Sequence, residues 1–339
     1  MRTSDFDYEL PPDRIAQRPA SPRDQSRMLV LDRRLDKIED RSFSDLYEYF
    51  QPGDALVINE TSVIPARLMA HKLPGGGKAE LLLLQELDPT TWKTLVGGKG
   101  LQPGRELQIK HGPRATILED LGGPRRLVRF SEPIRPLLNE IGEMPLPPYI
   151  KTPLRHRDEY QTTFARRPGS AAAPTAGLHF TQERLADLET RGIEILRITL
   201  HVGLDTFAPV TEEDPKSHPI HSEWCSLDAH VAGRINQIKR EGNRLVAVGT
   251  TSVRTLESAA RESVAGELIP FEGPTDLFIL PGFEFQLVDA MLTNFHLPRS
   301  TLLMLVSAFA GRERTLQAYF HAIEHNYRFY SFGDAMLIL

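Results

Sequence analysis

The chain has 339 residues, of which 40% are hydrophobic and 25% are charged. This length suggests about two domains, and the composition is that of a folded globular protein, which excludes disorder over most of the chain. The 40 Lys and Arg against 45 Asp and Glu give a net charge of -5. That balance excludes a histone-like polybasic protein but allows a local basic patch.

Cysteine content and hydropathy predict a cytoplasmic protein. Cys225 is the only cysteine, so a disulfide framework and a cysteine-based zinc ribbon are both excluded. The N-terminal residues contain no apolar stretch that would serve as a secretion signal. The longest apolar run, residues 301–310, is about half the length that a bilayer requires, and we expect no membrane contact.

The N-terminal region predicts two strands, at residues 28–32 and 54–60, separated by a helix at 43–50 that Ser44 caps. The sequence pattern of the following residues is different: short β-prone runs alternate with Gly- and Pro-rich turns. This spacing indicates a small antiparallel barrel or sandwich, inserted into a larger fold. The predicted strands are 66–72, 78–86, 91–97, 105–110, 114–120 and 125–130.

From Thr181 onwards, apolar strands alternate with amphipathic helices. Thr181, Asp228 and Ser300 stand where helices are predicted to start, and strands are predicted at 276–282 and 283–295 among others. The pattern predicts an α/β fold, with a mostly parallel sheet that has helices on both faces, plus the inserted small antiparallel β-barrel. We assign 1–62 and 151–339 to the α/β body, and 63–150 to the barrel with its Pro-rich linker.

Standard cofactor motifs are missing. The glycine-rich stretch at 97–104 lies among barrel strands and opens no helix, and the sequence has neither GxxxxGK[ST] nor GxSxG. The simplest NAD, ATP and serine-hydrolase interpretations are therefore excluded. Four unusual segments lie instead where strands of the body end: 174–181, 200–210, 247–258 and 288–311.

The segment 174–181 contains Thr175, Gly177 and His179 just before a predicted helix start. Small residues allow a ligand to approach the backbone, and a helix start offers free N–H groups. The alternative interpretation is a tight turn with a capping histidine.

In the segment 200–210, His201 and Gly203 come where an apolar strand ends, at the edge where doubly wound folds bind ligands. Histidine is suited to proton transfer near neutral pH. A strand-end histidine satisfied by hydrogen bonds is the alternative.

In the segment 247–258, Gly249, Thr250 and Thr251 supply hydroxyl and N–H groups between a buried strand and a helix. Arg254 is predicted in the first helical turn, where the helix dipole disfavours a cation unless it binds a carboxylate or phosphate. A surface arginine is the alternative.

The segment 288–311 places Asp289, Asn294 and His296 in an otherwise apolar strand and its exit. Buried polar groups need partners, so these three form either a structural network or a site.

Two weaker patterns concern metal and nucleic acid. His218, His221 and Cys225 have loosely metal-like spacing but lack an evident fourth ligand, so we predict no metal there. Small groups of basic residues are individually typical of a solvated face, but several on one face would contact phosphates. These groups are Arg14/Arg18/Arg23/Arg27, Lys110/His111/Arg114, Arg125/Arg126, Arg155/Arg157 and Arg166/Arg167.

The four segments, in this order, resemble one family: the S-adenosylmethionine:tRNA ribosyltransferase-isomerases of queuosine biosynthesis. The resemblance extends from about Asp5 to the C-terminus. Glu60 and Ser62 depart from it, because the family usually has Asn and Arg there. Further stretches carry it: SDFDYELPPDRIAQRP, GDALVINETSVIPARL, GEMPLPPYIK, YQTTFARRPGSAAAPTAGLHFT and YRFYSFGDAMLIL.

The resemblance implies a specific reaction. Such enzymes join the ribosyl moiety of S-adenosylmethionine to 7-aminomethyl-7-deazaguanine at the wobble position of a tRNA anticodon loop. Its isomerisation gives epoxyqueuosine, with release of adenine and methionine. S-adenosylmethionine is thus a consumed substrate, and no metal or other cofactor is expected; we also expect a monomer.

Site roles follow as hypotheses. We expect His201, His179 or His296 to transfer protons, with Asp289 orienting one of them, and Arg254 with the N–H groups at Thr250 and Thr251 to hold the methionine carboxylate. A non-catalytic tRNA-binding protein and an S-adenosylmethionine-dependent methyltransferase are the alternatives. The first would release no adenine, and the second needs a Gly-rich loop after the first strand, where the sequence has none.

Overall fold

The computed structural model describes residues 1–203 and 209–339, so part of the candidate segment 200–210 lies outside the described residues. The chain divides into two compact units. The body comprises Met1–Ser62, Pro147–Pro168 and Ala173–Leu339, and the barrel unit comprises Val63–Leu146 and Gly169–Ala172. Residues 147–150, which we had assigned to the insertion, therefore group with the body.

The strands are numbered in chain order. They are β1 (Arg27–Asp32), β2 (Lys37–Ser42), β3 (Ala55–Asn59), β4 (Thr61–Val63), β5 (Arg67–Leu73), β6 (Lys78–Asp88), β7 (Thr91–Gly97), β8 (Glu106–Ile109), β9 (Arg114–Asp120), β10 (Arg125–Phe130), β11 (Arg167–Ser170), β12 (Glu194–Leu200), β13 (Glu223–Leu227), β14 (Leu245–Val248), β15 (Phe271–Thr275), β16 (Ala290–Asn294) and β17 (Ala335–Ile338).

The α-helices are α1 (Leu138–Ile141), α2 (Gln182–Thr190), α3 (Ala229–Arg240), α4 (Gly249–Arg261), α5 (Thr301–Ala310) and α6 (Arg312–Glu324). Among the described residues, none of the helices is long and apolar enough to cross a bilayer. The side chains of Thr181, Asp228 and Ser300 accept backbone N–H groups at the starts of α2, α3 and α5, as the sequence predicts.

The body is built on a nine-stranded sheet with the order β15-β13-β12-β3-β14-β16-β17-β1-β2. The predicted α/β class is confirmed, but the sheet is more mixed than expected. The central strands β12, β3, β14 and β16 are parallel, whereas β13, β15, β2 and the β16–β17 pair are antiparallel.

Both faces of the central part of this sheet are buried. Along β3, Ala55 and Val57 join one apolar core, while Leu56 and Ile58 join the other, because successive strand residues point to opposite faces. Helices α3 to α6 contribute to the first core and α2 contributes to the second. This packing explains why the central strands are apolar throughout rather than alternating.

The barrel unit contains a closed barrel in which the strands pair in the order β10-β7-β6-β5-β8-β9. Every pair is antiparallel, which confirms the predicted barrel. Alternate residues such as Leu68, Leu81, Ile117 and Val128 are buried, as expected where one face of each strand lines the interior.

Three local predictions are wrong. Residues 276–282 form no strand, and β15 precedes them. The helix expected at 43–50 is a 3-10 helix, Phe43–Tyr49, and its capping box uses Ser42 instead of Ser44. Helix α4 starts at Gly249, so Arg254 lies in the second turn, beyond the N-terminal groups that carry the helix dipole.

Candidate functional site

The C-terminal ends of the central parallel strands meet at one edge of the sheet, as parallel pairing requires. Asn59, at the end of β3, ties this edge to β12: its Nδ2 donates to the carbonyl of Leu200 at 3.0 Å, and its Oδ1 accepts the Leu200 N–H at 3.0 Å. His201 follows β12, and α4 follows β14 directly. The edge therefore collects residues from two of the four candidate segments, β16 adds the third, and Thr175 of the segment 174–181 lines the same cavity.

A cavity of about 50 Å³ opens at this edge. Typical ligand pockets have ~300–1,000 Å³, so a nucleoside requires the lining side chains to move apart. Half of the predicted site residues line it: Thr175, Gly249, Thr250, Thr251, Asn294 and His296.

A hydrogen-bonded chain leads from the cavity to His179. Thr175 Oγ1 donates to Asn294 Oδ1 at 3.2 Å, and Asn294 Nδ2 lies 3.3 Å from His179 Nε2. Because an amide nitrogen only donates, Nε2 accepts and Nδ1–H donates to Ser26 Oγ at 2.8 Å. Burial lowers the pKa of His179 to about 4. His179 is thus a neutral group that orients Asn294.

His296 lines the cavity but is itself only 8% exposed. Its Nδ1 lies 3.3 Å from the Tyr319 hydroxyl and its Nε2 lies 3.3 Å from Thr293 Oγ1. Desolvation lowers the pKa of this imidazole to about 3. The side chain is therefore neutral at physiological pH.

His201 differs from the other two histidines because it is only half-buried. Its Nδ1 lies 2.8 Å from Thr61 Oγ1, and its ring stacks on Trp224 with 5.2 Å between centroids. It is adjacent to Val202, which lines the cavity. The ring is thus oriented from two sides and is the most accessible of the three candidates for proton transfer.

The start of α4 presents donors to the cavity. Gly249, Thr250 and Thr251 are its first residues, with backbone N–H groups that have no partner within the helix. The buried Thr251 Oγ1 has no hydrogen-bond partner among the described residues. An N-terminus with an unused hydroxyl is suited to a carboxylate or to ribose oxygens.

Two of the predicted glycines have different structural reasons. Gly249 has φ +83°, a left-handed conformation that glycine adopts readily. At Gly177, by contrast, a Cβ would lie 2.6 Å from Phe164 Cζ and 3.0 Å from Thr162 Cγ2. Gly177 is therefore required by packing, and it does not line the cavity.

Arg254 is 7% exposed and has a protein carboxylate as its partner. It pairs with Glu223 and donates to the backbone carbonyls of Leu277 and Thr275. The other carboxylate oxygen of Glu223 accepts the Gly203 N–H at 2.8 Å. The hypothesis that Arg254 holds the substrate carboxylate is corrected accordingly: it neutralises Glu223, and the pair fixes the backbone at Gly203.

The expectation that Asp289 orients a histidine is wrong. Asp289 precedes β16, at the opposite end of the strand from His296. Both carboxylate oxygens lie 2.9 Å from Lys239 Nζ, and one accepts the Leu245 N–H at 2.7 Å. Asp289 therefore anchors the start of two strands away from the cavity.

Sequence reasoning missed several residues of this edge. Tyr149 and Ser331 line the cavity, and their hydroxyl oxygens lie 2.7 Å apart. Tyr330 lies beside them, and burial raises its pKa to about 12. The sequence could have indicated these residues, because they lie in GEMPLPPYIK and YRFYSFGDAMLIL, two of the stretches that carry the family resemblance. Glu223 and Ser26 had no local signal, because their partners are distant in sequence.

Residues of the metal-like pattern and of the first basic group have contacts within the protein. His218 Nδ1 lies 2.7 Å from Glu212 Oε2, and Cys225 is buried. Arg23 donates to the backbone carbonyls of Gln161 and Asp158, so part of the first basic group is used within the body.

The two departures from the family pattern also have intramolecular partners. Arg167 Nε lies 3.3 Å from a carboxylate oxygen of Glu60, and Gln161 Nε2 donates to Ser62 Oγ at 3.0 Å.

Comparisons with known proteins agree over nearly the whole chain. Residues 3–338 match the family model described as "Queuosine biosynthesis protein". The chain is 54% identical to the S-adenosylmethionine:tRNA ribosyltransferase-isomerase of Symbiobacterium thermophilum and 52% identical to that of Moorella thermoacetica, with all of each chain covered. The chain is also similar to the crystal structure of the Thermotoga maritima S-adenosylmethionine tRNA ribosyltransferase, with 41% sequence identity and a TM-score of 0.58. The match covers 99% of this chain and 100% of that one.

Proposed function

The chain belongs to the queuosine biosynthesis protein family, and on that premise we propose that it transfers and isomerises the ribosyl moiety of S-adenosylmethionine onto tRNA. The acceptor is the aminomethyl group of 7-aminomethyl-7-deazaguanine at the wobble position. The products are epoxyqueuosine in the tRNA, adenine and methionine. S-adenosylmethionine is consumed, and the reaction requires no metal or other cofactor. The enzyme works in the cytoplasm as a monomer.

The observation that carries the proposal at the level of the site is the start of α4. Its N–H groups and the unpartnered Thr251 hydroxyl face a cavity lined by Thr175 and Asn294. S-adenosylmethionine carries a carboxylate and two ribose hydroxyls, which match these donors and acceptors. We assign the methionine carboxylate to the N–H groups of Thr250 and Thr251.

The reaction needs a base that removes a proton from the carbon beside the sulfonium, and a donor that protonates the departing adenine. We assign proton transfer to His201, because its imidazole is half-buried and oriented by Thr61 and Trp224. His179 and His296 are neutral, buried groups whose role is to position Asn294 and the cavity wall. The target base is splayed out of the anticodon loop, since unpaired loop bases are accessible to a protein whereas those of an A-form helix are not.

The test is a mass-spectrometric assay with purified protein, S-adenosylmethionine and a tRNA carrying 7-aminomethyl-7-deazaguanine, in the presence of EDTA. Free adenine together with epoxyqueuosine in the digested tRNA is the expected result. Methylated tRNA with S-adenosylhomocysteine would identify a methyltransferase, and tRNA binding without either product would indicate a binding protein.

The assignment of His201 is tested separately. His201→Gln should lower kcat by about 10²–10⁴-fold while tRNA binding persists. His230→Gln is the matched control, because His230 is exposed on α3 and, unlike His201, is not adjacent to a residue that lines the cavity. Unchanged turnover in His201→Gln would move the proton transfer to another group.

A further inference from the structure

A second cluster of polar side chains lies in the body, and none of its members lines the cavity. Asp40 on β2 faces His321 and His325 at the C-terminal end of α6, and one ligand atom from each lies within 4.8 Å of the others. His321 Nε2 is 3.0 Å from Asp40 Oδ2. The His321 and Asp40 side chains are 26% and 39% exposed, so an ion can reach them from solvent.

The two histidines are four residues apart and therefore share one helical face. Their ring centroids are 3.8 Å apart at an interplanar angle of 19°. His325 Nδ1 lies 2.8 Å from the backbone oxygen of His321. Because a carbonyl oxygen only accepts, Nδ1 carries the proton and Nε2 has the lone pair that a metal requires. This carbonyl contact is the outer-shell arrangement typical of metal-binding histidines.

The carboxylate of Asp40 is also held by an outer shell. Its Oδ1 accepts from the Tyr327 hydroxyl at 2.6 Å and from Arg27 Nη2 at 3.3 Å, which directs Oδ2 at His321. Arg27 opposes a cation electrostatically, but its guanidinium contacts Oδ1 and lies over the Tyr327 ring at 3.7 Å. The face of the carboxylate that meets the histidines is free of that contact.

We propose that Asp40 Oδ2, His321 Nε2 and His325 Nε2 bind a divalent transition metal of the zinc type. Two imidazoles and one carboxylate favour zinc, nickel or copper, whereas magnesium and calcium prefer sites built from oxygen. Without the ion, His321 Nε2 donates its proton to Asp40 Oδ2. When the ion binds, this imidazole changes tautomer: the proton moves from Nε2 to Nδ1 through solvent, Nε2 gives its lone pair to the ion, and water completes the coordination. Since β2 is an edge strand of the sheet, the ion would join this edge to the end of α6 and stabilise the folded body.

Isothermal titration calorimetry of the full chain, treated with EDTA and then freed of it, with zinc chloride as the titrant tests whether this site binds the ion. We expect one ion per chain and a higher midpoint of thermal unfolding when zinc is present. His325→Ala should weaken binding at least about tenfold, because even outer-shell changes cost 10–100-fold. Tyr327→Phe should weaken it by a smaller factor, and the exposed control His230→Ala should bind like the wild type.

His321→Asn provides a second test of the same ligand set if His325→Ala proves unfolded by far-UV circular dichroism. The proposal is overturned if the wild type binds no stoichiometric zinc, if both ligand variants bind as tightly as the wild type, or if magnesium chloride binds equally well.

Discussion

The buried ion pair between Arg254 and Glu223 allows a direct test of whether Arg254 positions the site or binds the substrate. Their side chains are 9% and 4% exposed, and their remaining polar atoms hold Gly203, Leu277 and Thr275. If Arg254 positions the site, removing either partner should destabilise the body. If it instead binds substrate directly, its removal should mainly raise KM for S-adenosylmethionine.

The expected magnitude follows from the burial. Removing one partner of a buried pair leaves an uncompensated charge and costs about 3–5 kcal/mol, whereas replacing both by apolar side chains is often close to neutral. We therefore expect Glu223→Leu and Arg254→Met each to lose about 3–5 kcal/mol of unfolding free energy. The double variant should lose less than the sum by at least about 2 kcal/mol.

The assay uses the two tryptophans of the chain. Trp92 lies in the barrel unit and Trp224 lies in the body. In a Trp92→Phe background, fluorescence reports Trp224 alone, so urea unfolding can be followed for the body without overlap from the barrel unit. Loss of less than about 1 kcal/mol in both single variants, together with a raised KM in Arg254→Met, would refute the positioning role.

Three further predictions use the same protein. Thr251→Val should raise KM for S-adenosylmethionine by about two- to tenfold, the value of one neutral hydrogen bond, while Thr255→Val, whose hydroxyl donates to a backbone carbonyl, should not. Because the folded-state pKa of His179 is about 4, below the ~6.5 of an unfolded chain, the unfolded state binds the extra proton, and His179 should contribute a loss of stability of about 1.4 kcal/mol per pH unit as the pH falls from 6.5 to 4. His179→Gln should reduce the pH slope of stability by that amount in the Trp224 unfolding assay, leaving the contribution of His296, whose pKa burial also lowers; an unchanged slope would contradict the assignment. Glu60→Asn should release Arg167, which could then contact one phosphate of the tRNA. The slope of log affinity against log salt concentration, measured by fluorescence anisotropy, should become steeper by up to about 0.9, the value of one phosphate contact. An identical slope would show that Arg167 does not contact the RNA.

Much of this molecule follows from local patterns. The barrel strands were predictable because alternating residues and Gly- or Pro-rich turns act over only a few neighbours. The caps at Thr181, Asp228 and Ser300 are local for the same reason, since a cap bonds to N–H groups two or three residues away. The edge at which four candidate segments gather was also predictable, because parallel strands end on the same side.

Tertiary structure alone decided the partners of the buried polar groups. The sequence indicates that Arg254 needs a carboxylate, but Glu223 lies 31 residues away, and only the strand order brings it there. Asp289 shares a segment with His296, yet the intervening strand carries them to opposite ends of the sheet. Strand order and register determine which distant groups meet, and a buried charge takes the partner that this arrangement supplies.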